Sequence, residues 1–496
     1  MALEHVDVLI VGAGLSGVGA GCHLRTSFPD KSCAILEARD SIGGTWDLFR
    51  YPGIRSDSDM YTLGYRFRPW SDAKAIADGP SILNYVRETA REYGVDEKIR
   101  FGHRVVRAEW STAEASWTVE ATRTDTDEAV RLTCGFLLMC SGYYSYDGGY
   151  TPEFGGTERF EGEIVHPQKW PEDLDYAGKR VVVIGSGATA VTLVPAMAAA
   201  AGHVTMLQRS PSYIVSLPGE DGFANFLRRV LPARLAYSIV RWKNVLITSL
   251  FYELSRRRPR LIKALIRRSV ARRLPPGYDV DTHFKPRYNP WDQRVCLVPD
   301  GDLFESIGNG QASVVTDRIE TFTENGLRLA SGRELEADLI VTATGLNLLP
   351  IGGMEIAVDG REVELAQTVG YKGMMFSGVP NLGVALGYTN MSWTLKCDLT
   401  CQYVCRLLNH MDANGYRQAT PRSPDPSLPT QPLIDLASGY VLRSIDRFPK
   451  QGARAPWRLY QNYPRDILML RHGTVEDEGI EFSRAVVPES AERRAA

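Results

Sequence analysis

Two stretches of the chain share one pattern of apolar and small residues. In VDVLIVGAGLSGVGAGCHL an apolar run gives way to Gly12-x-Gly14-x-x-Gly17 and then to a helical pattern. A short apolar run bounded by a glycine turn reads as a buried strand, so the order is strand, turn, helix. GKRVVVIGSGATAVTLVPAM repeats it, with a strand over 180–184, Gly185-x-Gly187-x-x-Ala190 and a helix. ELEADLIVTATGLNLLP (334–350) is a further apolar strand running into Thr344-Gly345, and after two such units it reads as the chain's return to the first domain. The pattern predicts an α/β protein with two Rossmann-like dinucleotide-binding domains. Residues 1–145 and 336–496 form the first and residues 146–335 the second, joined by the Gly- and Tyr-rich linker CSGYYSYDGGYTPEFGG (140–156). A helical insertion is expected over about 222–278, where apolar residues mix with Arg at helical spacing. PWRLYQNYPRDILML (456–470) reads as an ordered surface segment, and the tail VVPESAERRAA as frayed.

The turns bring chemistry into this pattern. Gly12 permits a tight turn, Gly14 lets backbone approach a pyrophosphate, and Gly17 lets the helix pack on the strand. The helix start then offers free N–H groups to phosphate. The next strand, SCAILEA, ends in Glu37, 20 positions beyond Gly17, where a carboxylate would take a ribose hydroxyl. In the second unit HVTMLQRSP ends in Gln208-Arg209 instead. An Arg there offers a fork-shaped cation to a phosphate, so the second site is expected to prefer NADPH to NADH. The plainer reading of Arg209 is a solvated strand-end cation. Two unequal sites, the first for a bound flavin and the second for a pyridine nucleotide, imply hydride transfer between them.

Composition narrows the classes. A length of 496 residues suggests about two to four domains. A net charge of −2 gives no argument for nucleic acid. The N-terminus runs straight into the first strand and no apolar stretch reaches membrane-spanning length, so neither a leader nor a transmembrane helix is expected. The eight cysteines are scattered and include no C-x-x-C pair, which fits a reducing cytoplasm. Cys397, Cys401 and Cys405 fall on one helical face and read as buried small residues; no metal site is expected.

GGTWDLFRYPGIRSDSDMY follows the first unit. Here the sequence resembles the class B flavoprotein monooxygenases and, within them, the type I Baeyer–Villiger monooxygenases. Gly43, Gly44, Trp46, Arg50, Tyr51, Pro52, Gly53 and Asp57 match that family's GGxWxxxRYPGxxxD motif. Its fingerprint F-x-G-x-x-x-H-x-x-x-W-P is matched by Phe160, Gly162, His166, Trp170 and Pro171. HFKPRYNPWDQRVCLVPDGDLF and GYTNMSWTLK are similar to the ethionamide-activating mycobacterial branch. The resemblance implies FAD and NADPH as cofactors, O2 as co-substrate and a small ketone as substrate. It implies a flavin C4a-peroxide that converts the ketone to an ester or lactone, with sulfides oxidised as well. The alternative is a sister enzyme acting mainly on sulfur or nitrogen.

The resemblance also implies residue roles. A cation beside the peroxide falls on Arg294, held by Asp57. The plainer readings are a structural ion pair between domains for Arg294 and a helix N-cap or turn acid for Asp57. Cofactor contacts fall on Gly12, Gly14, Gly17, Glu37, Gly44, Thr45, Trp46 and Asp57 for the flavin, on Gly185, Gly187, Ala188, Thr189 and Arg209 for the nucleotide, and on Thr344 and Gly345. Tyr388, Asn390 and Trp393 are pocket candidates or core residues. His166 lacks a sequence partner that would make it an acid, base or ligand, so FEGEIVHPQKWP reads as an interdomain element that times the chemistry.

One stretch remains. Arg256 to Arg273 holds nine basic residues and no acid. It reads as a solvated amphipathic helix pair covering the second domain. The functional alternative is a face toward anionic lipid, giving a cytoplasmic protein with a peripheral seat at the inner membrane. The sequence sets no oligomeric state.

Overall fold

In the computed structural model, which describes residues 3–484, the first apolar run is β1 (Glu4–Val11), and its glycine turn opens α1 (Leu15–Ser27). The tail 486–496, expected to be frayed, lies outside the described residues. β1 pairs in parallel with β2 (Cys33–Leu36), and β2 with the short β3 (Ile99–Arg100). β4 (His103–Ser111), β5 (Ser116–Arg123) and β6 (Ala129–Met139) form a meander, and β6 closes in parallel on the other side of β1. β1 is buried without a break from Val8 to Val11, as a central parallel strand must be. β5 instead buries alternate residues, as an antiparallel strand covered on one face does. Strand 382–384 adds in parallel beside β6.

The second sheet repeats this order. β7 (Glu163–Val165) is followed by β8 (Arg180–Ile184), α2 (Ala188–Ala198) and β9 (His203–Gln208). Next come helices α3 (Gly222–Val230), α4 (Ala233–Arg257) and α5 (Pro259–Ala271), then strands β10 (Ala312–Thr316) and β11 (Leu339–Thr342). The order β10-β9-β8-β11-β7 is parallel throughout. It matches β3-β2-β1-β6 with strand 382–384 in the first sheet. The fold is therefore α/β with two Rossmann-like units.

β11 corrects the expected boundary at 335/336. All four of its residues are buried, and it hydrogen-bonds to β8 on one side and β7 on the other. An inner strand needs both neighbours to satisfy its peptide groups. The chain thus leaves the second unit after the strand that had read as its return to the first.

The C-terminal region is also more deeply built in than expected. α6 (Trp393–Asn414) packs on α1 and buries Cys397, Cys401 and Cys405. Segment 456–470 is anchored inward, although Arg458, Arg465 and Leu468 are exposed. Trp457, Tyr463 and Leu470 are buried, and Asp466 receives Lys396 Nζ at 3.0 Å with both side chains fully buried. Tyr388 donates to the same carboxylate at 2.6 Å, which explains why the charge is tolerated inside.

The insertion is a splint, not a cover for one domain. Ala224, Leu227, Ala236, Tyr237, Val240 and Val245, from α3 and α4, join the core of the first unit. Ile262, Ile266 and Val270 of α5 join the core of the second. Arg241 is buried, and its Nη1 donates to the carbonyls of Tyr61 at 2.8 Å and Gly64 at 2.9 Å. Among the described residues no helix is long and apolar enough to cross a membrane.

Removing the clamp should loosen the splint. Arg241→Ala leaves two buried carbonyls unpaired, and the expected loss is about 1–3 kcal/mol of unfolding free energy in a denaturant titration. Limited proteolysis should cut first within 222–258. An unchanged titration and cleavage pattern would show that the apolar contacts hold α4 without Arg241.

Candidate active site

Both glycine turns are forced by the same backbone approach. Gly12 has φ +101°, and a Cβ there would lie 2.7 Å from the carbonyl oxygen of Cys140. Gly185 has φ +134°, and its Cβ would lie 2.3 Å from the carbonyl oxygen of Ala343. Any L side chain would clash and be strained at either position. Cys140 and Ala343 directly follow β6 and β11, so Cys140-Ser141-Gly142 and Ala343-Thr344-Gly345 are equivalent elements. α1 and α2 start from Gly14 and Gly187, neither with a side-chain cap, which leaves their first N–H groups for a ligand.

The residue after the second strand of each unit differs. Glu37 follows β2 and is buried, accepting the N–H groups of Ala13 at 2.6 Å and Arg39 at 3.0 Å. Burial raises its carboxyl pKa, and those N–H groups oppose the rise. Arg209 holds the equivalent place after β9, is exposed, and has no carboxylate within salt-bridge distance among the described residues. Gln208 before it is buried, and its amide donates to the His283 carbonyl at 2.8 Å. Arg209 borders the cleft, together with Arg318.

A single cleft of about 1410 Å³ runs past both turns. Small-molecule sites commonly enclose about 300–1,000 Å³, so this one has room for two dinucleotides. The expected cofactor residues line it, except Gly17, which lies under the first turn against the Gly12 carbonyl. Phe160, Gly162, His166, Trp170 and Pro171 stand outside the lining. Tyr388 and Trp393 border the cleft, and Trp393 Nε1 donates to Ser16 Oγ at 3.0 Å. Asn390 is buried away from it and donates to the Gln461 carbonyl.

Where the two units meet, Arg294 Nε and Nη2 donate to Asp57 Oδ2 at 2.8 and 2.6 Å. The Asp57 charge raises the arginine's pKa against the opposing effect of burial, so the cation is permanent. Asp57 is not a helix cap, because Asp59 caps helix 60–63. The pair lies among Tyr143, Tyr144 and Tyr440, whose phenols burial pushes up. Tyr143 also packs on Trp393 at a ring distance of 4.9 Å. These tyrosines were not singled out by the sequence. Tyr143 and Tyr144 lie in what read as linker, where the tripeptide's likeness to Ala343-Thr344-Gly345 was the available clue.

The family motifs sit at the seams. Gly44, at φ +56°, lies against the Gly14 turn. Tyr51 is buried among core residues of the second unit, and Gly53 abuts the Thr192 carbonyl of α2. The fingerprint begins at Phe160 and supplies β7, the edge strand of the second sheet. His166 Nδ1 accepts the Gln168 N–H at 3.1 Å, so the proton lies on Nε2, which donates to the Gly345 carbonyl at 3.3 Å. Thr344 Oγ1 donates to the Tyr150 carbonyl, and the Tyr150 N–H donates to the Gly345 carbonyl. Gly149 presses on the His166 ring so closely that a Cβ would lie 1.9 Å from Cε1. Trp170 is only half buried, edge-on to Tyr176, so it contributes less burial than expected.

These elements define a class: a two-unit dinucleotide-binding fold whose two glycine turns face one cleft. Residues 71–349 match the flavin-binding monooxygenase-like family, and residues 10–74 match an NAD(P)-binding Rossmann-like domain. The chain is 58% identical over 486 residues to the FAD-containing monooxygenase EthA of Mycobacterium tuberculosis, covering 98% of this chain and 99% of that one. It is 54% identical over 482 residues to the EthA of Mycolicibacterium smegmatis, covering 97% and 98%. A steroid monooxygenase bound to NADP shares the fold with a TM-score of 0.75 at 23% identity, over 97% of this chain and 99% of that one. The chain belongs to the flavin-binding monooxygenase-like family and is a flavin-dependent oxidoreductase.

Burial lowers the His166 pKa below its ordinary 6.5, so the ring is neutral at pH 7. A depressed histidine pKa gives a contribution that is present above about pH 6.5 and lost as the pH falls through the lowered value. His166→Ala should keep its flavin yet consume more NADPH per product formed, with little further change on acidification. A product-to-NADPH ratio equal to wild type at every pH would reduce the residue to packing.

Proposed function

We propose that the protein is an FAD- and NADPH-dependent Baeyer–Villiger monooxygenase. It inserts one oxygen from O2 beside a ketone carbonyl and gives an ester or lactone. The observation that carries this reading is the Arg294–Asp57 pair, a permanent cation in the cleft shared by the two glycine turns. Bound FAD, reduced by NADPH, supplies the activated oxygen in this reading. The first turn offers its N–H groups to the FAD pyrophosphate, Glu37 accepts a ribose hydroxyl, and Gly44, Thr45 and Trp46 border the same site. The second turn, with Ala188 and Thr189, receives the pyrophosphate of NADPH, Arg209 pairs with its 2′-phosphate, and Thr344 and Gly345 flank it.

Arg294 stabilises the negative charge that develops as oxygen passes to the carbonyl carbon. A fixed cation in a partly desolvated site does this without reorganising. Asp57 orients the guanidinium, and the tyrosines around it restrict water. Oxygen transfer to a sulfide builds no such anion, so the pair favours ketone oxidation over an enzyme devoted to sulfur or nitrogen.

Arg294→Ala should bind FAD and accept hydride normally while ester formation from a 2-alkanone falls about 100- to 1000-fold. Sulfoxide formed from an aryl methyl sulfide should fall far less. Near-normal ester yield would remove Arg294 from the reaction, and wild type giving sulfoxide but no ester would make the protein a sulfur-oxygenating enzyme.

Arg209→Ala should weaken NADPH by about 1.5–3 kcal/mol, roughly 10- to 100-fold in KM. The KM for NADH should barely move. Equal effects on the two nucleotides in steady-state kinetics would exclude a phosphate contact.

A further inference from the structure

The splint that binds the two units leaves its outer side bare. Among the described residues nineteen large apolar side chains are exposed, and twelve of them fall between Phe223 and Leu265. Scattered exposed apolar residues need no explanation, but a concentration of this kind marks a contact surface. α4 has two apolar sides. Ala236, Tyr237, Val240 and Val245 face the core. Ile239, Trp242, Leu246 and Leu250 form a second stripe at steps of three and four residues, with Leu246 56% and Leu250 60% exposed. Phe226 of α3 and Leu265 of α5 are exposed as well, at 59% and 54%.

The charges on the same helices are basic but for one. Arg229 and Arg234 lie at the α3–α4 junction, and Arg260, Lys263 and Arg268 lie on α5. Among the described residues none of these five has a carboxylate within 4 Å. The only acid on α4 and α5, Glu253, is paired with Arg257. We propose that this face seats the protein on an anionic lipid surface, with the α4 stripe entering the headgroup layer and the arginines pairing with phosphate. Apolar residues on one side of a helix flanked by unpaired basic residues are what such a surface binds. A second copy of the chain is a poorer occupant, because a two-fold interface would set one basic rim against another.

Co-flotation of the FAD-loaded protein with vesicles tests this. An equal mixture of phosphatidylcholine and phosphatidylglycerol should capture about tenfold more protein than phosphatidylcholine alone, and high salt should reverse the difference. Leu246→Glu combined with Leu250→Glu should abolish capture while flavin content and NADPH oxidation stay at wild-type level. Arg260→Glu combined with Lys263→Glu should remove the preference for anionic vesicles, which keeps the test informative if the first variant folds poorly. Failure of wild type to float, or capture of the first variant equal to wild type, would overturn the proposal. So would a change in sedimentation mass of that variant when wild type ignores vesicles, which would give the face to a second copy. None of these outcomes depends on whether the oxygen acceptor is a ketone or a sulfide.

Discussion

Asp57 and Arg294 are 237 residues apart in sequence, yet the guanidinium makes two hydrogen bonds to one carboxylate oxygen. A partly desolvated ion pair is only as good as its geometry, because misplacement leaves a charge without its partner. Asp57 follows the RYPG turn, whose Tyr51 and Gly53 are packed against the second unit. Arg294 is tied through its backbone N–H to Ser438 Oγ at 3.4 Å, which brings the C-terminal region to the same spot. Three separate parts of the chain must therefore be in place before the cation is. Tyr388, which borders the cleft, donates to Asp466 of the buried Lys396–Asp466 pair, so the C-terminal packing reaches the cleft wall as well.

The second constraint is duplication. The same five-strand order occurs twice, and in each unit a glycine with positive φ passes under the carbonyl that follows the neighbouring parallel strand, β6 in the first and β11 in the second. Once the backbone is set in this way, the two sites can differ only through their side chains. Glu37 and Arg209 occupy the equivalent place, and one is buried and hydrogen-bonded while the other is exposed and, among the described residues, unpaired. A buried carboxylate with two backbone donors is a rigid acceptor. An exposed guanidinium is a mobile donor that orders when a phosphate arrives. The asymmetry thus fits one nucleotide that stays and one that comes and goes.

Much of this was legible because glycine spacing reports backbone geometry directly. The two turns, Glu37, Arg209 and the family motifs could be read without coordinates, since each depends on local conformation or on a fixed offset from a turn. The position of β11 could not. Its apolar residues suit either sheet, and only pairing with β7 and β8 decides between them. Segment 456–470 reads as a surface segment in sequence, because nothing local reveals that Asp466 meets Lys396. The tyrosines around Arg294 escaped notice for the same reason. Tyr440 reaches the cleft from the far end of the chain, and no sequence period links it to Tyr143.

The fingerprint is the instructive intermediate case. Its residues are recognisable in sequence, and none of them lines the cleft. Their spacing is explained by what they hold. Phe160 enters the core on one face of the second sheet, residues 163–165 form its edge strand, and His166 is wedged between Gly149 and the Gly345 carbonyl. Gly149 lies on the chain's way into the second unit, and Gly345 lies on its way out. One neutral imidazole therefore ties the two crossovers at the base of the second turn. The fingerprint residues thus hold the approaches to the second turn and leave its lining to other side chains.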